Sequence, residues 1–132
     1  MRNISFQLTT EQVRSRTKTV TRRLGWRTVR PGDLLQAIVK GQGLKKGEHP
    51  EKLCVIRVVN VNREPLNHLT ISSETGPLKV AIYGAYFYDD ATRECAKEGF
   101  PKMSPESFVE FFCKANGCPT QVIVTRIEFE YV

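Results

Sequence analysis

The sequence predicts one α+β domain over residues 1–132, with a sheet that curls toward a barrel. Three observations predict this class. The run LCVIRVVNVNRE at 53–64 is long and β-rich, as in a central strand. Residues 123–131 alternate apolar and polar side chains, the pattern of a strand with one buried face. Segments 91–98 and 104–116 carry helix start and stop signals. A chain of 132 residues is long enough for a core without metals or disulfides.

The elements of the first half follow from local pattern. Apolar Ile4, Phe6 and Leu8 alternate with polar residues and predict a short strand. Thr9 or Thr10 then caps a brief helix that is predicted to run through residue 16. The turn Pro-Gly-Asp at 31–33 leads into a strand at 34–40. The segment 41–52 predicts a loop, and the central strand follows it.

The second half is predicted to begin with loop and short strand as far as residue 88. Asp89 or Asp90 is a candidate cap for a helix at 91–98, which Gly99 ends. For the next helix, Ser104 is the predicted N-cap and Pro105 the first helical residue. An apolar face and a terminating glycine support this helix: Phe108, Phe111, Phe112 and Gly117.

Composition narrows the class of function. The net charge is +6 with a pI near 9.3, which favours an anionic partner. No apolar run is long enough to span a membrane, and the N-terminus lacks a signal-peptide stretch, so we expect a cytoplasmic protein. In that compartment the four cysteines are expected to be thiols, and Cys113 and Cys118 are too far apart for a close zinc-binding pair. The sequence predicts no metal and no cofactor, since GQG at 41–43 is too short for a phosphate loop.

The segment 14–30 concentrates positive charge. It holds seven of the twenty Lys and Arg residues and no acid, and it contains the only tryptophan, Trp26. Like charges this close are stabilised by a bound anion or by water. Two interpretations are therefore open, a site for phosphate or nucleic acid and a solvated basic turn.

Within this segment, Lys18 and Thr21 place an amine and a hydroxyl three residues apart. Positive neighbours lower the pKa of an amine and favour its action as a base. On a regular strand, however, these two residues point to opposite faces. A shared site therefore requires a turn, bulge or helical twist across residues 18–21.

Four segments together resemble a known family: TKTVTRR at 17–23, the Pro-Gly-Asp turn, EGFPKMSPE at 98–106 and VTRIEFEYV at 124–132. They are similar to ASCH-domain proteins of the PUA-like superfamily, particularly the small phage and prophage members. The resemblance implies a small mixed β-barrel flanked by helices, with a cleft whose floor carries the basic motif. It also implies binding of RNA or a modified nucleoside. One branch of the family hydrolyses N4-acetylcytidine.

The family signature Gly-x-Lys-x-x-Glu-x-Arg aligns with residues 16–23. Lys18 and Arg23 match it, whereas Arg16 replaces the glycine and Thr21 the glutamate. Threonine at that position resembles the amidohydrolase branch, whose catalytic set is a lysine, a threonine and a later glutamate. The resemblance implies Lys18, Thr21 and Glu98 as that set here. The predicted binding residues for RNA or nucleoside are Arg16, Arg22, Arg23, Trp26 and Arg27.

Each of these residues also has an ordinary structural interpretation. Lys18 is either a phosphate contact or a catalytic amine, and Thr21 either bonds the backbone in a turn or attacks the substrate. Glu98 either moves a proton or forms a salt bridge. The aromatic residues either stack a base or edge the core: Trp26, Tyr83, Tyr86 and Tyr88.

The function classes left open are three. The first is a binding site for RNA or a modified nucleoside that also hydrolyses N4-acylated cytidine. The second is an RNA-binding module without catalysis, and the third is a phage accessory protein that binds a host protein. The sequence does not predict an oligomeric state.

Overall fold

A computed structural model of the chain describes residues 1–70 and 91–132. Its strands are β1 Arg2–Ser5, β2 Val20–Arg23, β3 Leu34–Ile38, β4 Lys52–Pro65 and β5 Ile123–Tyr131. Its helices are α1 Thr10–Arg14, α2 Ala91–Lys97 and α3 Pro105–Asn116, with 3-10 turns at Gln7–Thr9 and Leu66–Thr70.

The described strands form one mixed sheet in the order β1-β3-β4-β5-β2. β4 is central, as predicted, and pairs antiparallel with β3 on one side and β5 on the other. β1 pairs parallel with β3, and β2 pairs antiparallel with β5. The register shifts between Ala37 and Ile38 and between Val58 and Asn60. Such irregularities increase local twist and help the sheet to curl.

The two edge strands of this sheet approach each other. Arg23, the last residue of β2, donates from Nη2 to the backbone oxygen of Ser5, the last residue of β1, at 2.5 Å. One side chain therefore bridges the edges of a curled half-barrel. The α+β class and the barrel-like curl predicted from sequence are confirmed. We call the line along which β1 and β2 approach each other the seam of the sheet.

Two apolar clusters pack on opposite sides of β5. One fills the curled sheet and contains Ile4, Phe6, Val13, Val29, Leu35, Ala37, Ile56, Val58, Ile127 and Phe129. The other joins α2, α3 and the second 3-10 turn through Leu66, Leu69, Cys95, Phe108, Val109, Phe112 and Val124.

This arrangement corrects the prediction that β5 has one buried face. Val124 and Arg126 are 0% and 4% exposed, although they lie on the face expected to be polar. Val124 packs in the helical cluster, and Arg126 binds Glu94 of α2. The helices cover the second face, which a period-two pattern within one strand does not reveal.

The first strand and helix are shorter than predicted. β1 ends at Ser5, and Leu8 lies in the 3-10 turn with 64% of its surface exposed. α1 ends at Arg14 because the chain turns at Arg16, where φ is +62°. No threonine caps this helix: the Thr10 hydroxyl donates to the backbone oxygen of Phe6 at 2.8 Å.

The helix signals of the second half are confirmed. Ser104 Oγ accepts from the Ser107 N–H at 3.1 Å, and Gly117 ends α3 with φ of +62°. α2 ends before Gly99, as predicted. The candidate caps Asp89 and Asp90 and the strand expected before them lie outside the described residues. The loop expected at 41–52 is present, except that its last residue begins β4.

Candidate functional site

Lys18 lies in a turn that the end of α1 creates. The backbone N–H groups of Thr17 and Lys18 both donate to the Gln12 oxygen, at 3.0 and 3.2 Å. β2 begins only at Val20. Lys18 therefore precedes the strand, and the alternation of strand faces does not separate it from Thr21. Both residues border the same cavity, which meets the geometric requirement set by the sequence.

Contacts from two other elements fix this turn. The Tyr131 hydroxyl of β5 donates to the Lys18 backbone oxygen at 2.6 Å. The Thr19 N–H donates to the Lys97 oxygen of α2 at 2.8 Å. The position of the Lys18 backbone thus depends on the last strand and on α2, neither of which is near it in sequence.

The Lys18 amine is buried against Glu98. Its Nζ donates to the Glu98 backbone oxygen at 2.6 Å and to Oε1 of the same residue at 3.1 Å. Burial lowers the pKa of Lys18 and outweighs the opposing effect of the Glu98 carboxylate. A lowered pKa increases the share of the neutral amine, whose lone pair accepts a proton, so this environment suits a proton acceptor.

Glu98 follows the last residue of α2. Its N–H still bonds the Glu94 oxygen at 3.1 Å, and the chain then turns at Gly99 with φ of +102°. Gln12 packs directly on this glycine and donates from Nε2 to its backbone oxygen at 3.2 Å. Gln12 therefore connects the turn that carries Lys18 with the turn that carries Glu98.

Arg22 projects from β2 into a set of carboxylates. Its Nη1 donates to Glu98 Oε2 at 2.8 Å, and its Nη2 donates to Glu94 Oε1 at 2.8 Å and Glu64 Oε1 at 3.4 Å. On the far side, Arg126 Nε binds Glu94 Oε1 at 2.5 Å. Burial alone raises the pKa of Glu94, but the hydrogen bond from Arg126 and the charge of Arg22 outweigh it and lower the pKa.

These contacts define a buried ionic cluster: Lys18, Arg22, Arg126, Glu64, Glu94 and Glu98. With Lys18 protonated, its three cations balance its three carboxylates within the described residues, and with Lys18 neutral the cluster carries one net negative charge. The floor of the site is therefore much less cationic than the basic segment suggested. A neutral ring suits such a floor better than a phosphate group does.

Thr21 and Arg23 share the opposite face of β2. Arg23 Nε donates to Thr21 Oγ1 at 3.0 Å and so fixes the hydroxyl. Within residues 1–70 and 91–132, both hydrogen bonds of the Arg23 side chain go to neutral oxygens, Thr21 Oγ1 and the Ser5 backbone oxygen. Burial lowers the pKa of Arg23 to about 10, which leaves the guanidinium charged near neutral pH. A permanent cation beside a fixed hydroxyl is suited to stabilising a negative oxygen.

These side chains border a cavity of about 210 Å³. The volume is below the roughly 300–1,000 Å³ of pockets for drug-sized ligands, so the cavity accepts one small ring or acyl group. Its lining includes five polar side chains, those of Lys18, Thr21, Arg22, Arg23 and Glu98. It also includes five aromatic side chains, those of Phe6, Phe100, Phe108, Phe111 and Phe112. Such a combination of polar and aromatic groups is common in small-molecule sites.

The structure does not bring the remaining predicted residues to this cavity. Arg16 is exposed, with its guanidinium 5.5 Å from the centre of the Tyr131 ring. Trp26 has a φ of +51° and packs under Arg2 at 3.7 Å. Arg27 is exposed. The tyrosines considered for stacking, Tyr83, Tyr86 and Tyr88, lie outside the described residues.

Sequence reasoning missed several members of the site. Glu64 ends the predicted central strand, Arg126 lies in the closing strand, and Glu94 lies one turn before Glu98. For Glu64 and Arg126, the signal available in the sequence was a charged residue within a strand that packs in the core, because a buried charge requires a partner of opposite charge. The α3 phenylalanines were assigned to the core; Phe108 and Phe112 are buried there, and they also line the cavity.

In residues 1–70 and 91–132, no group of His, Cys, Asp or Glu side chains could hold a metal ion. The helices in the same ranges are all too short or too polar to cross a membrane. The cysteines are free thiols, and burial raises the pKa of Cys95 to about 11.

A curled mixed sheet with helices packed on its outer face and a polar cleft at its seam defines a PUA-like α+β half-barrel. More particularly, the chain has the ASCH-domain fold. It is similar to a crystal structure of an ASCH domain from Lactobacillus crispatus JV V101, with a TM-score of 0.55 and 14% identity over 98% of this chain and 78% of that one.

A second similar structure is an Enterococcus faecalis V583 protein assigned to the DUF984 family. The TM-score is 0.58, with 16% identity over 99% of this chain and 79% of that one. No protein-family model matches the chain, and no curated protein matches it in sequence. At these identities the structural likeness defines the fold.

Proposed function

We propose that this protein binds a modified nucleoside with its acylated base in the cavity beside β2 and hydrolyses an N4-acylated cytidine. One observation carries the proposal. A buried amine with a lowered pKa, a fixed threonine hydroxyl and a carboxylate border the same small cavity: Lys18, Thr21 and Glu98. These are the groups that amide hydrolysis needs, namely a proton acceptor, a nucleophile and a group that passes the proton to the departing amine.

The chemistry follows from these positions. Thr21 Oγ adds to the acyl carbonyl while the neutral Lys18 amine takes its proton. The charged Arg23, bonded to the same hydroxyl, stabilises the negative oxygen that forms. The proton then passes by way of Glu98 to the cytosine nitrogen as the C–N bond breaks. Water then adds to the acyl-threonine ester while Lys18 takes its proton, the ester C–O bond breaks, and the proton returns to Thr21 Oγ as the carboxylic acid is released and ionises in solvent.

The charge of the site supports a neutral ligand. Of the three cationic side chains that border the cavity, Lys18 and Arg22 are bound to carboxylates, and Arg23 donates to the Thr21 hydroxyl and the Ser5 oxygen. An added phosphate would bring negative charge close to Glu98 in a site of low dielectric. An uncharged base or acyl group avoids this electrostatic repulsion, and the phenylalanine side chains that border the cavity give it an apolar surface to contact.

Turnover of N4-acetylcytidine tests the proposal. Purified protein should release cytidine, measured by liquid chromatography. Lys18→Met, Thr21→Val and Glu98→Gln should each slow release by roughly 10²–10⁴-fold. Lys52→Met is the matched control, because Lys52 is a solvent-exposed lysine at the start of β4 and does not border the cavity, and it should keep the parent rate. Absence of cytidine at high enzyme concentration, or equal rates in all variants, would refute the proposal.

A second candidate, an RNA-binding module without catalysis, has its own observation. Arg16, Arg27 and Arg30 are exposed, and in the described part of the chain they form no ion pair. If they contact RNA phosphates, affinity should fall with salt, and each substitution to Gln should reduce the slope by about 0.7–0.9. Measurable RNA affinity with a flat salt response would contradict this candidate.

A further inference from the structure

We infer that Arg22 is a positioning residue that fixes the Glu98 carboxylate beside the Lys18 amine, and that Glu94, Glu64 and Arg126 hold Arg22 in place. This assignment replaces its predicted role as a ligand-binding cation. The catalytic consequence rests on the proposed function, whereas the positioning itself is a property of the cluster.

The geometry around Glu98 is the first support for Arg22 as its positioning residue. Its two carboxylate oxygens bind different cations, Oε1 binding Lys18 at 3.1 Å and Oε2 binding Arg22 at 2.8 Å. A carboxylate held at both oxygens has little rotational freedom. Arg22 therefore determines which edge of Glu98 faces Lys18, and without it the carboxylate charge is no longer shared with a second cation and acts on the amine alone.

The position of Arg22 gives a second argument. Its side chain is 1% exposed, and its two terminal amino groups are occupied by carboxylates. Glu94 and Glu98 are four residues apart at the end of α2, a spacing at which like charges destabilise a helix. The planar guanidinium spans both acids at 2.8 Å. A lysine ammonium lacks this fork, so arginine is required by geometry and not only by charge.

The outer members of the cluster, Arg126 and Glu64, hold Glu94 and Arg22 in position. Arg126 of β5 binds Glu94 through Nε at 2.5 Å, and Glu64 of β4 lies 3.4 Å from Arg22 Nη2. Arg22 is thus held by Glu94 of α2 and by Glu64 of β4, the strand on the far side of β5 from β2. Removal of one buried partner leaves the others with uncompensated charge, and we expect that change to reach the Lys18 amine.

The sign of this effect follows from the groups that face Lys18. Glu98 faces the amine from the turn after α2, and Arg22 and Arg23 face it from β2. Tyr131 contacts the Lys18 backbone from β5, and α1 contributes the neutral Gln12. The charge of Arg22 lowers the pKa of Lys18. Loss of Arg22 should therefore raise that pKa, whereas loss of an acid beside Arg22 should lower it.

Two variants test the inference through opposite shifts. In Arg22→Met, the acidic limb of the kcat profile should move to higher pH, on the order of one unit. In Glu94→Gln, it should move to lower pH, and KM for N4-acetylcytidine should stay within about twofold in both. Arg57→Met is the control, since Arg57 forms an exposed pair with Glu130 at 2.9 Å and should not move the limb. If Arg22→Met does not fold, Glu64→Gln takes its place and should shift the limb in the same direction as Glu94→Gln.

A readout without substrate separates this inference from the proposed function. The ¹³Cε resonance of Lys18, assigned by its loss in Lys18→Met, reports the ionisation of the amine during a pH titration. Opposite shifts in Arg22→Met and Glu94→Gln support the inference even if the protein has no hydrolase activity. A Lys18 titration that is unchanged in every cluster variant would overturn it. A raised KM in Arg22→Met alone would instead show that Arg22 contacts the ligand.

Discussion

Substitution of Gly99 tests whether Gln12 packs closely against the turn that carries Glu98. A side chain at this position has two energetic costs, backbone strain and a clash with Gln12, and the two can be measured separately. The backbone at Gly99 has a φ of +102°, which L side chains rarely adopt. A Cβ at this position would also lie 2.9 Å from Cγ and 3.1 Å from Cβ of Gln12. Gly99→Ala therefore combines backbone strain with overpacking against the residue that joins the turns of Lys18 and Glu98.

The two costs have known sizes. Strain in such a conformation is about 1–3 kcal/mol, and overpacking adds about 1–3 kcal/mol. Gly32→Ala is the matched control, since Gly32 has a φ of +95° and nothing lies within 4 Å of its added Cβ. Gly32→Ala should lose only the strain energy, so Gly99→Ala should be less stable than Gly32→Ala by about 1–3 kcal/mol.

Urea denaturation followed by circular dichroism measures these free energies of unfolding. The double variant Gln12→Ala/Gly99→Ala removes the 2.9 Å contact and should recover part of the difference through a coupling of about 0.5–3 kcal/mol. Equal losses in Gly99→Ala and Gly32→Ala would refute the close packing of Gln12 on Gly99. A double variant with strictly additive losses would contradict it as well.

Two further predictions concern the turn that carries Lys18. Burial holds the pKa of Lys18 below its ordinary 10.5, so the unfolded chain binds this proton more tightly. Stability of the parent relative to Lys18→Met should therefore rise with pH from the folded-state pKa up to 10.5, by at most about 1.4 kcal/mol per pH unit, and should be constant below and above that window. Denaturation at pH values from 7 upward measures it, and a constant difference would exclude a lowered pKa. Tyr131→Phe removes the 2.6 Å bond to the Lys18 oxygen and should cost about 0.5–1.5 kcal/mol. An unchanged midpoint in denaturant would show that this hydroxyl does not anchor the turn.

The secondary structure of this chain was largely readable from sequence, for physical reasons that act between near neighbours. β4 was predicted from a long apolar, β-branched run, and α3 from the hydroxyl of Ser104 and the glycine after its last turn. Where local pattern failed, an interaction from elsewhere decided the outcome. β5 looked half-exposed, yet Arg126 is buried because α2 supplies Glu94.

The candidate site was only partly predictable. Lys18, Thr21 and Glu98 were found from residue chemistry and from a family resemblance, and the cavity brings them together. The roles assigned to them remain predictions. Arg22 is different: the count of positive charges made it a candidate ligand contact, but three glutamates surround it.

By itself, the sequence indicated the described strands and α-helices other than β2, because hydrogen-bonding propensity and apolar periodicity act over a few residues; β2 lies in the basic segment and was not predicted. It also placed an excess of positive charge in one segment. Only the tertiary structure decided where that charge is neutralised. The acids that bind Arg22 lie 42, 72 and 76 residues away in the chain. Strand order and the docking of α2 bring them within bonding distance, and no interaction between sequence neighbours encodes that arrangement.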